Sequence, residues 1–423
     1  MPPGVATLVT MRTTVIALLA LVATPAAAGA APWSAPRAVT ASGLAREPAV
    51  ALGGPDAAAV AYVRHLSGAD RVELRRGTVD RLGTPTILDR DTRHGLDSPT
   101  LTYAGHDALL VWRRFSDANT RVLELASVTR AGTVGGPHAI TGPPNSFEPA
   151  FSSPDLLTFW RRQAAYTIAI ANRTAGAKTR LPDGAAFESV VAKLADGRLI
   201  AVWPNGGAIF SATRAPGATA FGAATRISAP GGFARSPQLA LTPDGHAVAV
   251  WTQSDGTGRA LVTAARPPAG AFGAPTTVVA SSEQVLTIRA LGISAGEVLV
   301  AFVSARADIG SGPLRALRLG PTGLAVSSVR TLTPPGERTR DVSLAADGSA
   351  GWAAWATGGT TSRHAIRVVR ISRTVLGTVR TVSGSDAAVP ARPAFAMTSQ
   401  SRALIAYATT SGRIRLVTKR AGL

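Results

Sequence analysis

The chain has 423 residues, a formal net charge of +19 and no cysteine. The lack of cysteine excludes disulfides, thiolate metal sites and cysteine nucleophiles. All but three of the 44 basic residues are arginines, and they are scattered rather than clustered beside aromatic residues, so the charge does not predict a specific nucleic-acid site.

The N-terminal segment has the composition of a secretory signal peptide. A short positive region at Met11–Arg12 precedes an apolar run over Val15–Ala23 and a stretch of small residues over Thr24–Ala31. The apolar run is too short to span a bilayer, and no later segment is apolar for long enough to do so. We therefore expect residues 1–30 to be a signal peptide and residues 31–423 to be a single secreted domain without a transmembrane segment.

The rest of the chain repeats one unit of about fifty residues, the size of a β-propeller blade. The clearest copy, Arg235–Ser282, reads as four short strands with a hairpin turn at Thr242–Gly245. An aromatic residue, which we call the anchor, ends the second strand of each unit, and successive anchors lie 43 to 53 residues apart. The predicted anchors are Tyr62, Trp112, Trp160, Trp203, Trp251, Phe302, Trp355 and Tyr407. The sequence thus predicts an all-β propeller of eight four-stranded blades.

The two ends of the chain are predicted to share one blade. The last unit, from Arg392, offers only three strands, whereas Pro32–Ser42 resembles the fourth strand of the clearest copy. A ring of blades has an exposed seam unless both ends join one sheet, so we expect the N-terminal strand to complete the C-terminal blade. Seven blades with a stray hairpin are the alternative, because the Trp160 unit is short.

Over residues 31–423 the chain resembles secreted bacterial β-propeller repeat proteins, and this resemblance is architectural. The sequence lacks the WD dipeptide, the Asp box of sialidase-like propellers and the Trp-docking repeat of quinoprotein dehydrogenases. Its paired glycines do not recur at a fixed place in the repeat, as they do in kelch proteins. The resemblance therefore implies a fold without an activity, and we predict no cofactor.

Two local motifs are better explained by the repeat than by chemistry. Gly292–Gly296 is a literal G-x-S-x-G, but a strand follows it where a nucleophile elbow needs a helix, so we interpret it as a turn. The loop Leu88–Asp97 holds three aspartates without the full ligand set of an EF-hand. We interpret it as a solvated loop and predict no metal site, with calcium binding at 88–97 as the alternative.

Polar residues are expected around the mouth of the central channel, the face where propellers usually bind ligands. The residue ahead of each first strand should face this mouth, and the loops after the second strands should open beside it. The candidate ligand-binding residues are Glu47, Asp97, Glu148, Glu188, Arg64, Arg113, Arg161, Arg340 and Arg392. Ser98, Ser236 and Thr287 complete the expected ring. Salt bridges between adjacent blades are the favoured role for its charges, because each carboxylate has an arginine within reach, and ligand binding is the functional interpretation.

These observations favour a non-enzymatic, monomeric binding or scaffold protein outside the cell. Its ligand at the channel mouth would be a carbohydrate, a cell-envelope polymer or a protein. The alternative from another class is a glycan-cleaving hydrolase or lyase that uses the channel-mouth carboxylates. A basic surface also attracts polyanions, so a polyanion binder is a third possibility.

Overall fold

Short strands and glycine-containing turns divide the chain into eight sheets, each of four antiparallel strands. The computed structural model describes residues 32–40, 44–54, 57–116, 120–141, 146–161, 164–182, 184–185, 188–254, 259–281, 283–305, 310–358, 364–384, 388–389 and 391–420. The predicted signal peptide lies outside these residues, and its identity stays a prediction. Across the part of the chain that the structure describes, no helix has the length and apolar character needed to cross a membrane.

The first four blades follow one another along the chain, after strand β1 (Arg37–Ala38), which belongs to the last blade. Blade 1 contains β2 (Leu44–Leu52), β3 (Ala58–Leu66), β4 (Ala69–Gly77) and β5 (Thr86–Asp91). Blade 2 contains β6 (Leu96–Ala104), β7 (Asp107–Phe115), β8 (Arg121–Val128) and β9 (Val134–Ala139). Blade 3 contains β10 (Ser146–Ser153), β11 (Leu156–Arg161), β12 (Ala164–Ala171) and β13 (Thr174–Arg180). Blade 4 contains β14 (Val190–Lys193), β15 (Leu199–Asn205), β16 (Ala208–Arg214) and β17 (Thr225–Arg226).

The other four blades repeat this order, and the last takes its fourth strand from the N-terminal segment. Blade 5 contains β18 (Phe233–Leu241), β19 (Ala247–Ser254), β20 (Arg259–Arg266) and β21 (Thr276–Ser281). Blade 6 contains β22 (Gln284–Ser294), β23 (Glu297–Ala305), β24 (Leu314–Leu319) and β25 (Arg330–Thr331). Blade 7 contains β26 (Ser343–Ala346), β27 (Gly351–Ala356), β28 (Ile366–Ile371) and β29 (Arg380–Thr381). Blade 8 contains β30 (Ala394–Met397), β31 (Ala403–Ala408), β32 (Ile414–Lys419) and β1.

The blades close into a ring through their first strands. Each first strand contacts the first strand of the next blade, from β2 and β6 round to β30 and β2. The prediction of an eight-bladed propeller is therefore confirmed, and the seven-bladed alternative is excluded.

Aromatic anchors fill the gaps between neighbouring blades, whose second strands are apolar on both faces. Seven of the eight predicted anchors are buried: Tyr62, Trp112, Trp203, Trp251, Phe302, Trp355 and Tyr407. Small alanines beside them, such as Ala61 and Ala249, let the sheets approach closely. Truncating a buried aromatic side chain costs about 3–5 kcal/mol, so each anchor contributes substantially to the stability of its blade pair.

The anchor of blade 3 is Phe159, and its prediction as Trp160 is wrong. In blade 1, Ala49 pairs with Ala61, the residue before the anchor; the equivalent pair in blade 3 is Ala150 with Thr158. Phe159 accordingly takes the buried position and stacks on Tyr166 with ring centroids 5.6 Å apart. Trp160 is displaced by one residue to the other face of its strand, because side chains alternate along a strand.

The predicted closure by the N-terminal segment is confirmed over its described part, residues 32–40. Arg37 and Ala38 pair with Leu416 and Arg415 of β32. The Ile414 backbone N–H donates to Thr40 Oγ1 at 3.0 Å, and Trp33 packs edge-on against Trp352 of blade 7, with centroids 6.0 Å apart. This pairing covers the edge of β32, which would otherwise present unpaired backbone groups.

The G-x-S-x-G motif covers the last three residues of β22 and the two-residue turn that leads into β23, and a strand rather than a helix follows it. Ser294 Oγ donates to Glu297 Oε2 at 3.1 Å. A Cβ on Gly292 would approach the Leu241 carbonyl oxygen to 1.8 Å, so glycine is needed here for the close approach of blades 5 and 6. The motif thus serves packing between blades.

On the same side of the molecule as that hairpin, the hairpin of blade 7 holds a buried carboxylate. Asp347 accepts hydrogen bonds from the Trp352 indole at 3.0 Å and from the Ala350 backbone N–H at 2.8 Å. Ser401 Oγ of blade 8 also donates to it, at 3.3 Å. Burial by itself raises the pKa of Asp347, but the hydrogen bonds from Trp352, Ser349 and Ala350 outweigh it and lower the pKa to about 2.

Candidate functional site

The centre of the ring holds an open cavity of about 1400 Å³ at the end where the first strands begin. Residues from all eight blades line it. Because a ligand there can contact every blade at once, this cavity is the candidate site, in the position where ring-shaped folds present convergent polar groups.

One residue of each blade reaches this cavity from the same position in the repeat. The residue two places after it always pairs with the residue before the anchor, as Ala49 pairs with Ala61 and Gln238 with Val250. We call these eight residues the mouth ring: Glu47, Ser98, Glu148, Glu188, Ser236, Thr287, Asp341 and Arg392.

A repeated backbone irregularity turns the mouth ring toward the channel in five of the blades. The residues with positive φ are Glu47 (52°), Ser98 (50°), Glu148 (45°), Glu188 (63°) and Ser236 (53°). Register shifts in the strand pairing mark the same place in blades 1, 2, 3 and 5. A bulge re-aims a side chain, and a non-glycine residue in this region costs about 1–3 kcal/mol, so the rest of each blade holds it there.

Two ring glutamates tie adjacent blades together. The Glu47 carboxylate accepts a hydrogen bond from the Ser98 backbone N–H of blade 2. Glu188 accepts from the Ser236 backbone N–H of blade 5 at 2.9 Å and from its hydroxyl at 3.1 Å. The N–H groups at the bulges thus find partners in the preceding blade, as buried or constrained backbone donors require.

Blades 6 and 7 are joined by an ion pair at the same level. Arg289 Nη2 donates to Asp341 Oδ2 at 2.8 Å. Burial lowers the pKa of Arg289, Asp341 raises it and Arg392 lowers it again. The Asp341 charge is thus balanced inside the cavity by an arginine from the neighbouring blade.

Glu148 differs from the other two ring glutamates. Its side chain accepts one hydrogen bond among the described residues, from Trp160 Nε1 at 3.4 Å, and it forms none with the next blade. The residue is exposed, and Trp160 lines the cavity beside it because Phe159 has taken the anchor position. The displacement of Trp160 therefore puts an indole next to an accessible carboxylate.

The structure divides the candidate residues into two groups. Glu47, Glu148, Glu188 and Arg392 line the cavity together. The remaining five, Asp97, Arg64, Arg113, Arg161 and Arg340, do not belong to its lining.

Four of the residues outside the lining, Asp97, Arg113, Arg64 and Arg340, contact residues that can be named. Arg113 forms a bidentate pair with Asp97 in its own blade, with both N–O distances 2.5 Å. Arg64 lies 3.5 Å from Glu73 Oε1. The Arg340 carbonyl accepts from Thr287 Oγ1 at 3.1 Å, and its neighbour Asp341 takes the ring position. Arg161 is the last residue of β11, and Arg162 lies outside the described residues.

Sequence reasoning missed several charged or aromatic residues of the lining, including Asp341 at the ring position of blade 7. Arg46, Arg289 and Trp160 all contribute to the cavity wall. Arg289 stands two residues after the ring position, so an alternation of side chains from that position would have placed it on the same wall. Trp160 could not be found this way, because the register of blade 3 decides which of two adjacent aromatic residues is buried.

The carboxylates of the loop 88–97 are used by local contacts. Asp89 accepts from the Trp112 indole at 2.8 Å and also pairs with Arg114. Asp91 accepts from the backbone N–H groups of Arg93 and His94 at 2.7 and 2.9 Å. Among the described residues, no group of three or more His, Asp or Glu side chains is arranged to hold a metal ion.

Comparisons with known proteins bear on the fold of the chain. No protein-family model matches the chain, and no curated protein matches it. The solved structure of the Dos1 propeller is similar with a TM-score of 0.55 and 13% identity, over 92% of this chain and 95% of that chain. An ulvan lyase of a polysaccharide lyase family has a TM-score of 0.44 and 8% identity, over 89% and 94% of the two chains. A virginiamycin B lyase from Staphylococcus aureus has 0.43 and 12%, over 77% and 95%. Identities this low show the propeller fold alone.

Proposed function

We propose that this protein is an exported binding protein that takes a carbohydrate or another hydroxyl-rich polymer of the cell envelope into the mouth of its channel. The observation that carries the proposal is the Trp160 indole, which lines an open cavity of about 1400 Å³ among the polar side chains of the mouth ring. Export rests on the signal-peptide composition of residues 1–30.

The cavity wall has the two kinds of surface that a sugar needs. Sugar rings have apolar faces and polar edges, and an indole offers a flat apolar surface with one N–H donor. Hydroxyl groups lie nearby in blade 3, where Ser152 Oγ and Thr158 Oγ1 are 2.6 Å apart and both residues line the cavity. The carboxylates of the mouth ring supply acceptors for sugar hydroxyls.

Binding is favoured over catalysis because two of the three ring glutamates already support the ring. Glu47 and Glu188 use their oxygens on Ser98 and Ser236 of the following blades. A general acid or base must exchange protons with the substrate, and these interblade bonds would have to break or rearrange for that role. Glu148 remains as the accessible carboxylate, which suits recognition by a single group.

A glycan screen with matched variants tests the proposal. We expect one envelope or plant glycan to raise the melting temperature of the protein and to do so at high salt as well as low salt. Trp160→Ala should weaken this binding, measured by calorimetry, by about five- to thirtyfold, since an indole platform supplies on the order of 1–2 kcal/mol. Asp196→Asn is the control, because Asp196 lies in the β14–β15 hairpin, at the end of the blade away from the mouth ring.

Two results would contradict the proposal. One is the absence of a thermal shift with every glycan tested. The other is a glycan affinity that Trp160→Ala leaves unchanged, which would place the binding surface elsewhere on the molecule.

A glycan-cleaving enzyme is the second candidate, and one observation favours it. Glu148 and Glu188 occupy the same position of adjacent blades, and both have a strained positive φ. Strained residues cluster at active sites, and paired carboxylates serve glycosidic bond cleavage. Detection of new reducing ends or unsaturated products, abolished in Glu188→Gln with glycan affinity retained, would establish this candidate in place of the first.

A further inference from the structure

We infer that Arg289 and Arg392 form a subsite for a carboxylate group, so that the preferred glycan contains an acidic sugar. The two arginines come from blades 6 and 8 and line the same open cavity, with Asp341 of blade 7 between them in the order of the ring. The inference deepens the proposed function, on which it rests for the kind of polymer that enters the channel mouth.

The first argument is that Arg392 stands between two carboxylates and pairs with neither. It is exposed at the ring position of blade 8, next to Asp341 of blade 7 and Glu47 of blade 1. Asp341 accepts from Arg289 and from the Val342 backbone N–H, both at 2.8 Å, and Glu47 accepts from a backbone N–H of blade 2. Among the described residues, Arg392 forms neither a hydrogen bond nor an ion pair. An anionic ligand can therefore bind Arg392 without breaking a contact that supports the ring.

The second argument is that Arg289 is held in place with donors to spare. Its Nη2 donates to Asp341, and its Nη1 donates to the Ile288 carbonyl at 3.0 Å, so its guanidinium has a fixed orientation at the cavity wall. A guanidinium has five N–H donors, and these two hydrogen bonds leave three of them. In the part of the chain that the structure describes, its Nε is buried without a partner. A fixed guanidinium with free donors suits a carboxylate, whose two oxygens accept hydrogen bonds side by side.

The third argument is the repulsion between the two arginines. Burial has the largest effect on the pKa of Arg289 and lowers it; Asp341 raises it, and the nearby charge of Arg392 lowers it again. The two guanidinium groups are thus close enough to repel each other, and a negative charge between them would attract both. Because Asp341 already balances Arg289, one further negative charge completes the set, and a carboxylate carries one.

The fourth argument is the distribution of charge around the cavity. The basic lining residues come from blades 1, 6 and 8: Arg46, Arg289 and Arg392. The described lining residues of blades 3 and 4 include Glu148 and Glu188 and no basic residue. An acidic sugar would therefore be attracted to one side of the mouth and repelled from the other, which orients the glycan that carries it.

Two trisaccharides that differ by one charge test the inference: a glucose trisaccharide that ends in glucuronate, and the methyl ester of the same molecule. Both are titrated by calorimetry at one fixed salt concentration. We expect the acid to bind about tenfold more tightly than the ester, as one charge-assisted hydrogen bond would give. Arg392→Gln should remove this preference while the ester binds as before. Arg340→Gln should retain it, because Arg340 is an exposed arginine beside the ring position of blade 7 that does not belong to the cavity lining.

A sugar-free probe, the dicarboxylate glutarate, separates this inference from the proposed function. Equal binding of the two trisaccharides, unchanged by Arg392→Gln, overturns the carboxylate subsite and leaves the carbohydrate proposal standing. A preference for the acid that falls equally in Arg392→Gln and Arg340→Gln also overturns the subsite, because the general positive field of the protein would then explain it.

Binding of glutarate that requires Arg392, with neither trisaccharide and no glycan of the screen bound, supports the subsite and overturns the carbohydrate proposal. Absence of binding by glutarate and by every glycan overturns both. Melting temperatures of the two variants within about 1 °C of the parent protein show that each result reflects the site, as expected for surface substitutions.

Discussion

Truncation of two adjacent aromatic residues of blade 3 should rank in one order for loss of stability and in the opposite order for loss of glycan binding. Phe159 is 1% exposed and stacks on Tyr166, so Phe159→Ala leaves a closed cavity in the core and should cost about 3–5 kcal/mol. Trp160 is partly exposed at the open cavity and partly packed against the core between blades 3 and 4, so Trp160→Ala should cost about 1–2 kcal/mol, less than the loss of a fully buried ring.

The size of the protein sets the thermal shift to be measured. Unfolding entropy is about 2.1 cal/mol/K per residue, or roughly 0.8 kcal/mol/K for a ring of this length. Phe159→Ala should therefore lower the melting temperature by about 4–6 °C, and Trp160→Ala by about 1–3 °C, in scanning calorimetry. Glycan binding should show the reverse order, with Trp160→Ala the more damaging change. A loss of stability in Trp160→Ala as large as that in Phe159→Ala would refute the register that we assign to blade 3.

Three further predictions concern acid stability, the serine motif and the net charge. Because the pKa of Asp347 is depressed to about 2, its contribution to stability is complete above about pH 4 and is lost as the pH falls toward 2. Asp347→Asn should therefore flatten the dependence of the melting temperature on pH in that window. An unchanged profile would contradict the hydrogen-bond network that we describe around Asp347. Ser294 donates to Glu297 in a hairpin, so a fluorophosphonate probe should not label it, and labelling that Ser294→Ala abolishes would show it to be a nucleophile. Heparin should bind the basic surface with an affinity that falls steeply with salt and is the same in Glu148→Gln, whereas salt-resistant heparin binding would indicate a specific polyanion site.

The repeat and its closure could be predicted because their signals are local. Six of the eight first hairpin turns carry a glycine, each second strand has its own apolar run, and Pro32–Ser42 resembles the outer strand that the last unit lacks. The positions of Glu47, Glu148, Glu188 and Arg392 in the cavity follow from the same repeat, because equal register puts equivalent residues on one wall.

The details of the site depended on one-residue shifts in the register of strand pairing, which composition does not reveal. In blade 3 two aromatic residues stand side by side, and the strand pairing alone decides that Phe159 is buried and Trp160 lines the cavity. In blade 7 the ring position falls on Asp341 rather than Arg340, because the strand pairing places it one residue closer to its anchor than in blades 5 and 6. A one-residue slip changes the face to which a strand residue points, so charge and function at a site are more sensitive to register than the fold is.

The sequence also did not predict which groups the charged residues bind. Salt bridges between blades were the other predicted role for the ring, and Asp341 forms one with Arg289, whereas Glu47 and Glu188 accept from backbone N–H groups of the next blade. Asp97 instead pairs with Arg113 of its own blade. Many arginines were within reach of each carboxylate along the chain, and only the packed structure selects among them.

The pairing of β1 with β32 has a consequence for the order in which the molecule folds. The hydrogen bond from Ile414 to Thr40 joins residues 374 positions apart. It can therefore stabilise the protein only after almost the whole chain has folded. We therefore expect the other blades to assemble first as an open arc, whose end presents an unprotected sheet edge to any other chain nearby. Amide hydrogens of residues 37–40 should then exchange with solvent sooner than those of β3 or β19, and the lifetime of the closed ring should be set by how often this one short strand detaches.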